Sequence, residues 1–139
     1  ILEALNEISI KSQVVLPLHP RTFKIIQNLK LNVDNLTLIE PIGYLEMIWM
    51  IDNCSLVMTD SGGLQKEAYF FDKRCVTLRD DTEWTELVEN GVNTLVGSNK
   101  IKILQAYRDN INLNFGSIPS DIYGKGDASN KVVNELINF

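Results

Sequence analysis

The chain of 139 residues is 45% apolar and 22% charged, and its 18 acidic and 13 basic side chains leave a net charge of −5. That balance suits one globular domain with its own core. It excludes a nucleic-acid or anionic-membrane surface, because no basic run offsets the acid excess, and no apolar stretch reaches the roughly 18 residues that span a bilayer.

The first run, ILEALNEI, is already helical in pattern at Ile1. With no methionine and no signal-peptide pattern in front of it, it reads as the start of an excised fragment. Apolar, β-rich runs follow at 13–18, 36–40, 55–59, 75–78 and 94–96. Helical periods separate them at 22–29, 44–51, 64–71, 83–89 and 101–110, and a last one covers 129–137. Short strands alternating with helices predict βαβ units. The fold class is therefore α/β, a Rossmann-like parallel sheet with helices on both faces and right-handed crossovers. The segment 112–127, rich in Asn, Gly, Ser and Pro, is the candidate linker, and the helix after it is expected to serve a part of the protein beyond this sequence. Cys54 and Cys75 fit neither a disulfide framework nor a zinc site, and read as buried thiols in a reducing cytoplasm.

Ligands of such sheets sit beyond the carboxyl ends of the strands. The question of function thus narrows to LHPR, EPIGY, TDSGG and LRDDTEW. In TDSGG, Gly62 and Gly63 stand where a helix starts, at roughly 1 kcal/mol each relative to alanine. The first N–H groups of a helix lack partners and carry the positive end of its dipole, so bare backbone there suits a pyrophosphate. A plain start capped by Asp60 or Ser61 leaves the glycines unexplained, since a capping box needs Glu or Gln where Gly63 and Leu64 stand. Neither the dinucleotide fingerprint nor the P-loop pattern is present.

Glu67, one turn further, is placed to accept hydrogen bonds from a ribose diol; the alternative is a solvated acid favoured by the helix N-terminus. Pro41 begins a turn whose backbone suits a flat base edge, with Met47 one turn later facing the same cleft. A core helix with a proline start is the other reading of that stretch. His19, the single histidine, is followed by Pro20 and Arg21 and faces either a ligand or its own helix. Arg79 suits a phosphate or a sugar carboxylate, while Thr82 and Glu83 suit a capped helix start. No set of metal ligands accompanies these residues, and no cofactor is expected.

Together, TDSGGLQKEAYFFDKRCVTLRDDTEWTELVENGVNTLVG, LPLHPRT, EPIGYLEM and YGKGDAS resemble the C-terminal half of the non-hydrolysing UDP-N-acetylglucosamine 2-epimerases. The resemblance covers nearly the whole chain. It implies one half of a two-domain, GT-B-like enzyme, with residues 1–139 as the UDP-binding domain and 112–139 crossing back toward an absent N-terminal domain. Ser61 and Gly62 correspond to the family's phosphate contacts, Glu67 to its ribose-binding acid, and the segment 41–47 to its uracil-binding turn and helix. The implied reaction inverts C2 by elimination and re-addition of UDP, converting UDP-GlcNAc to UDP-ManNAc. The family's catalytic carboxylates and its H-R-x-E-N segment precede this stretch, so no catalytic residue is expected here and the fragment alone is expected to be inactive. The resemblance also implies a cytoplasmic homodimer that binds a UDP-sugar.

One departure concerns Trp84, which stands in TEWTE where many members carry T-E-R-P-E. That difference, with HPRT and EPIGY, is closer to the branch acting on other UDP-N-acetyl sugars, such as UDP-2,3-diacetamido-glucuronate. The extra carboxylate of that substrate would give Arg21 and Arg79 a partner. Two rivals stay open. A GT-B glycosyltransferase donor domain would carry a paired-glutamate spacing that Glu67 lacks, and a non-catalytic UDP-sugar-binding module would lack the upstream carboxylates.

Overall fold

The computed structural model describes residues 1–113, 116 and 119–138, so part of the candidate linker lies outside the described residues. In chain order the elements are α1 (Leu2–Ile8), β1 (Val15–Pro17), α2 (Pro20–Asn28), β2 (Thr37–Ile39), α3 (Tyr44–Asn53) and β3 (Val57–Thr59). They continue with α4 (Gly62–Phe70), β4 (Cys75–Thr77), α5 (Thr85–Glu89), β5 (Asn93–Leu95), α6 (Lys100–Asn110) and α7 (Ala128–Asn138). Each predicted strand and helix is present; the first four strands are shorter than the apolar runs suggested, and the fifth is shifted by one residue. The fold class is α/β, and all strand pairs are parallel.

The main core is built on β4, whose Cys75, Val76 and Thr77 have no exposed surface. Successive strand residues point to opposite faces, so each face of β4 receives a different layer. On one face α1 and α6 bring Ala4, Ile8, Ile103 and Ala106 against Val76 and Val96. On the other, α3 and α4 bring Ile51 and Ala68 against Val57 and Cys75. A third cluster joins Tyr69 of α4 to Leu87 and Val92, with Trp84, Ile122 and Tyr123 packed around it. α6 is started by Asn99, whose side chain accepts from the Lys102 N–H at 3.1 Å.

The strands form two sheets, β1–β2 and β3–β4–β5, where the sequence predicted one. Pro17 favours this separation. Val14 accepts from Thr37, and Leu18 donates to Ile39, so the even-numbered residues of β1 face β2. Val15 and Pro17 then present their backbone to the opposite side, and proline has no N–H to offer a further strand. A cleft of about 760 Å³ fills the gap, lined by Val15 and Leu16 on one side and by Leu56 and Met58 on the other.

Burial pushes the Cys75 thiol up to about 12 and also raises Cys54. Folding raises the Cys75 value above its unfolded 9.0, so the linked stability is complete below that pH and declines as the pH climbs toward 12. At pH 8, alkylation of the native chain is expected to leave Cys75 unlabelled, whereas the urea-unfolded chain takes label at both cysteines. Mass spectrometry of the peptides reads this, and rapid native labelling of Cys75 would contradict the burial.

Candidate functional site: the start of helix α4

β3 ends at Thr59, and its side-chain oxygen turns the chain by accepting the Ser61 N–H at 3.0 Å. Ser61 is the N-cap of α4, as one of the two capping candidates, yet its hydroxyl makes no capping hydrogen bond. The N–H groups of Gly62, Gly63 and Leu64 belong to the first turn and precede the helix's own ladder. A Cβ added at Gly63 would meet only Ser61 Oγ, 4.0 Å away. Beside Gly63 the structure therefore presents a free hydroxyl, bare amides and open space.

Gly62 is bare for a different reason. A Cβ there would collide with the Glu83 carboxylate and stand 3.6 Å from Trp84 Nε1. The sequence reading of both glycines as one phosphate floor is thus divided: Gly62 makes room for the 79–84 loop, and Gly63 opens outward. A carboxylate beside a helix N-terminus is itself favourable, and Arg79 holds this one, Nη1 to Oε2, at 3.0 Å.

The 79–84 loop reaches the glycines because Leu78 continues the ladder, its N–H donating to Thr59 O at 2.8 Å. Arg79 also reaches Asp81 at 3.4 Å, so its guanidinium is committed within its own loop. Gly97 supports the loop from β5: it sits at φ +61°, where a Cβ would strike Asp80, and it donates to Arg79 O at 3.0 Å. Thr82 does not cap α5 as expected. Its hydroxyl instead donates to Gln65 Oε1 at 2.7 Å and accepts the Trp84 N–H at 3.2 Å. The helix starts later, with Trp84 as its N-cap. The indole N–H of Trp84 crosses to Gly62 O at 2.9 Å.

Gln65 was missed by sequence reasoning. It has no exposed surface, and its Oε1 accepts from both Thr82 and Asn93 while its Nε2 donates to Ser61 O at 3.3 Å. One amide thus joins the N-cap of α4, the 79–84 loop and β5. A glutamine inside a helical run gives no sign of this, because all three partners are distant in sequence or made by backbone.

Glu67 is half-buried on α4, without an ion pair among the described residues. Met47 is half-buried and packs against the cluster of Ile51, Val57 and Ala68 with Leu64, at the edge of the α3–α4 core. Pro41 is exposed ahead of α3, whose N-cap is Gly43. His19 is the N-cap of α2, and its Nδ1 accepts the Arg21 N–H at 3.2 Å. That is the structural alternative for His19; Arg21 projects outward from the first turn. The ladders bring these residues together as two groups. Ser61, Gly62, Gly63 and Arg79 follow β3 and β4, and His19, Arg21 and Pro41 follow β1 and β2. Among the described residues there is no cluster suited to a metal and no helix long and apolar enough to cross a membrane.

Gln65→Leu keeps the volume but strips three hydrogen bonds from a dry site. It is expected to cost roughly 2–4 kcal/mol, read as a lowered urea midpoint at unchanged slope.

Comparison with known proteins shows the family of the chain. The family model described as UDP-N-acetylglucosamine 2-epimerase matches residues 1–137. The UDP-2,3-diacetamido-2,3-dideoxy-D-glucuronate 2-epimerase of Pseudomonas aeruginosa is 49% identical over 98% of this chain and 38% of its own length. The UDP-N-acetylglucosamine 2-epimerase of Methanocaldococcus jannaschii is 40% identical over 88% of the chain and 34% of its own length. A crystal structure of the M. jannaschii UDP-GlcNAc 2-epimerase in complex with UDP-GlcNAc and UDP superposes with a TM-score of 0.84 at 35% identity, covering 99% of this chain and 39% of that one. The chain spans less than two-fifths of the length of the curated relatives named here. By sequence and by fold, it belongs to the UDP-N-acetylglucosamine 2-epimerase family.

Proposed function

We propose that the chain forms the UDP-binding, C-terminal part of a UDP-N-acetyl-sugar 2-epimerase, acting in the full protein on UDP-GlcNAc to give UDP-ManNAc. The observation that carries this is the start of α4 at a strand end: the Ser61 hydroxyl makes no capping hydrogen bond, a Cβ on Gly63 would meet only that hydroxyl, and the first-turn amides of Gly63 and Leu64 lie outside the helix's own ladder. A diphosphate there accepts hydrogen bonds from bare backbone and gains from the helix dipole. Glu67 lies further along the same helix for the ribose, and Pro41 begins the turn for the base.

In an elimination and re-addition of UDP, this half stabilises charge on the leaving diphosphate. The proton transfers at C2 need carboxylates poised as acid and base, and these are assigned to an N-terminal domain. The apolar stripe of α7 supports that division: Val132, Val133, Leu136 and Ile137 are all exposed, and α7 buries none of its described residues. The same reading makes the whole protein a homodimer in the cytoplasm, where Cys54 and Cys75 stay as thiols.

A second substrate is favoured by one observation, the 49% identity to the diacetamido-glucuronate 2-epimerase. The exposed Arg21 suits the extra carboxylate of such a sugar. Arg79 suits it only after releasing Glu83 and Asp81.

Titration of the labelled chain with UDP is expected to give saturable amide shifts at Ser61, Gly63 and Glu67, far larger than with uridine. Ser61→Ala is expected to weaken UDP about two- to fivefold, and Gly63→Val to abolish these shifts by filling the open space. Equal shifts with UDP and uridine would sink the phosphate assignment. With UDP-GlcNAc in deuterated water, the chain alone is expected to place no deuterium at C2, and exchange there would overturn the division of labour between the two domains.

A further inference from the structure

A group of side chains beside the glycine turn has no part in the binding described above. The Lys66 ammonium lies 4.3 Å from the centre of the Trp84 ring and 4.1 Å from that of Tyr123, both inside the range of a cation–π contact. Lys66 makes no ion pair within 4 Å among the described residues. The two rings meet edge to face, with centres 6.2 Å apart at 88°. Trp84 then reaches onward, its indole N–H bonded to Gly62 O.

Tyr123 comes from the segment that leads to α7, and α4 holds that segment firmly. Tyr69 Oη donates to Pro119 O at 2.9 Å and accepts the Ile122 N–H at 3.0 Å. The Tyr69 ring also packs edge-on against Tyr123 at 5.6 Å. Burial raises the Tyr123 phenol above its ordinary range, and the Glu86 side chain beside it adds to the rise.

We infer that Trp84 is a positioning residue for the diphosphate site. Its indole N–H fixes the Gly62 peptide, and the Lys66 ammonium clamped between Trp84 and Tyr123 fixes the indole. The segment 119–124, which touches none of the residues assigned to the diphosphate, thereby sets how well the amides of Gly63 and Leu64 are aimed. The inference rests on the UDP reading of the α4 start and adds a coupling between that site and the chain leading into α7. Its physical basis is that a rotating Gly62 peptide carries the next amide with it. The Gly62 carbonyl already accepts from the i+4 N–H of its own helix, and the indole adds a second hydrogen bond that restrains the rotation further, which the glycine itself does not do.

Two substitutions separate the parts. Trp84→Phe keeps an aromatic face for Lys66 but removes the indole N–H, and Tyr123→Leu removes a ring remote from the phosphates. Trp84→Phe is expected to weaken UDP about three- to tenfold and Tyr123→Leu about two- to fivefold, with uridine binding unchanged. Tyr123→Phe, which keeps the ring, is expected to retain wild-type affinity. In the unliganded chain, both damaging substitutions are expected to move the Gly63 and Leu64 amide resonances and speed their hydrogen exchange.

Parallel loss of UDP and uridine, or loss in Tyr123→Phe equal to that in Tyr123→Leu, would reduce the group to a structural prop. Unchanged Gly63 and Leu64 amides in Trp84→Phe would overturn the inference even if UDP binds as proposed. Perturbed amides in a chain that binds no UDP would instead uphold the positioning and defeat the UDP reading.

Discussion

The Gln65 amide is the point on which the site depends. It has no exposed surface, and its polar atoms reach Ser61 O, Thr82 Oγ1 and Asn93 Nδ2. Buried polar groups are nearly always satisfied, so each of these bonds constrains the other two. The N-cap of α4, the loop after β4 and the start of β5 are held as one unit. Such a network specifies a single arrangement more sharply than apolar packing does, because a displaced partner leaves a dry donor or acceptor behind.

Around that unit the core is asymmetric. β4 is covered on both faces by α1 with α6 and by α3 with α4, which makes the three-stranded sheet the rigid body of the molecule. The β1–β2 pair lies across a cleft and is bounded by Pro17, whose missing N–H weakens that edge for further pairing. The candidate phosphate residues stand on the rigid side. His19 and Arg21 stand on the other, where His19 is occupied in starting α2.

The glycine pair shows how one motif can serve two ends. Gly62 admits the Glu83 side chain and lies beneath the Trp84 indole, while Gly63 leaves its surroundings open. Arg79 neutralises Glu83, so the loop brings an acid and its counter-charge together to the helix start. Beyond the loop, Lys66 and Tyr123 extend the same packed group into the segment that precedes α7. Charge, hydrogen bonding and aromatic packing thus converge on one helical turn.

The amino-acid sequence by itself determined the element order and pointed to the candidate site. Short apolar, β-rich runs and the helical stretches between them are local properties, written in neighbouring residues. TDSGG reads as a candidate anion-binding start because the partnerless amides of a helix's first turn follow from the helix alone. Tertiary structure decided which side chains the site could still use. Arg79 is paired with Glu83 and Asp81, Met47 packs against the α3–α4 core and His19 uses its Nδ1 at its own helix start, while the Ser61 hydroxyl makes no capping hydrogen bond. Gln65, Trp84 and Tyr123 acquire their roles through partners that are nearly all far away in the chain, up to 57 residues in the pairing of Lys66 with Tyr123. No local pattern encodes such meetings, because they depend on the register of three strands and the depth at which helices settle upon them.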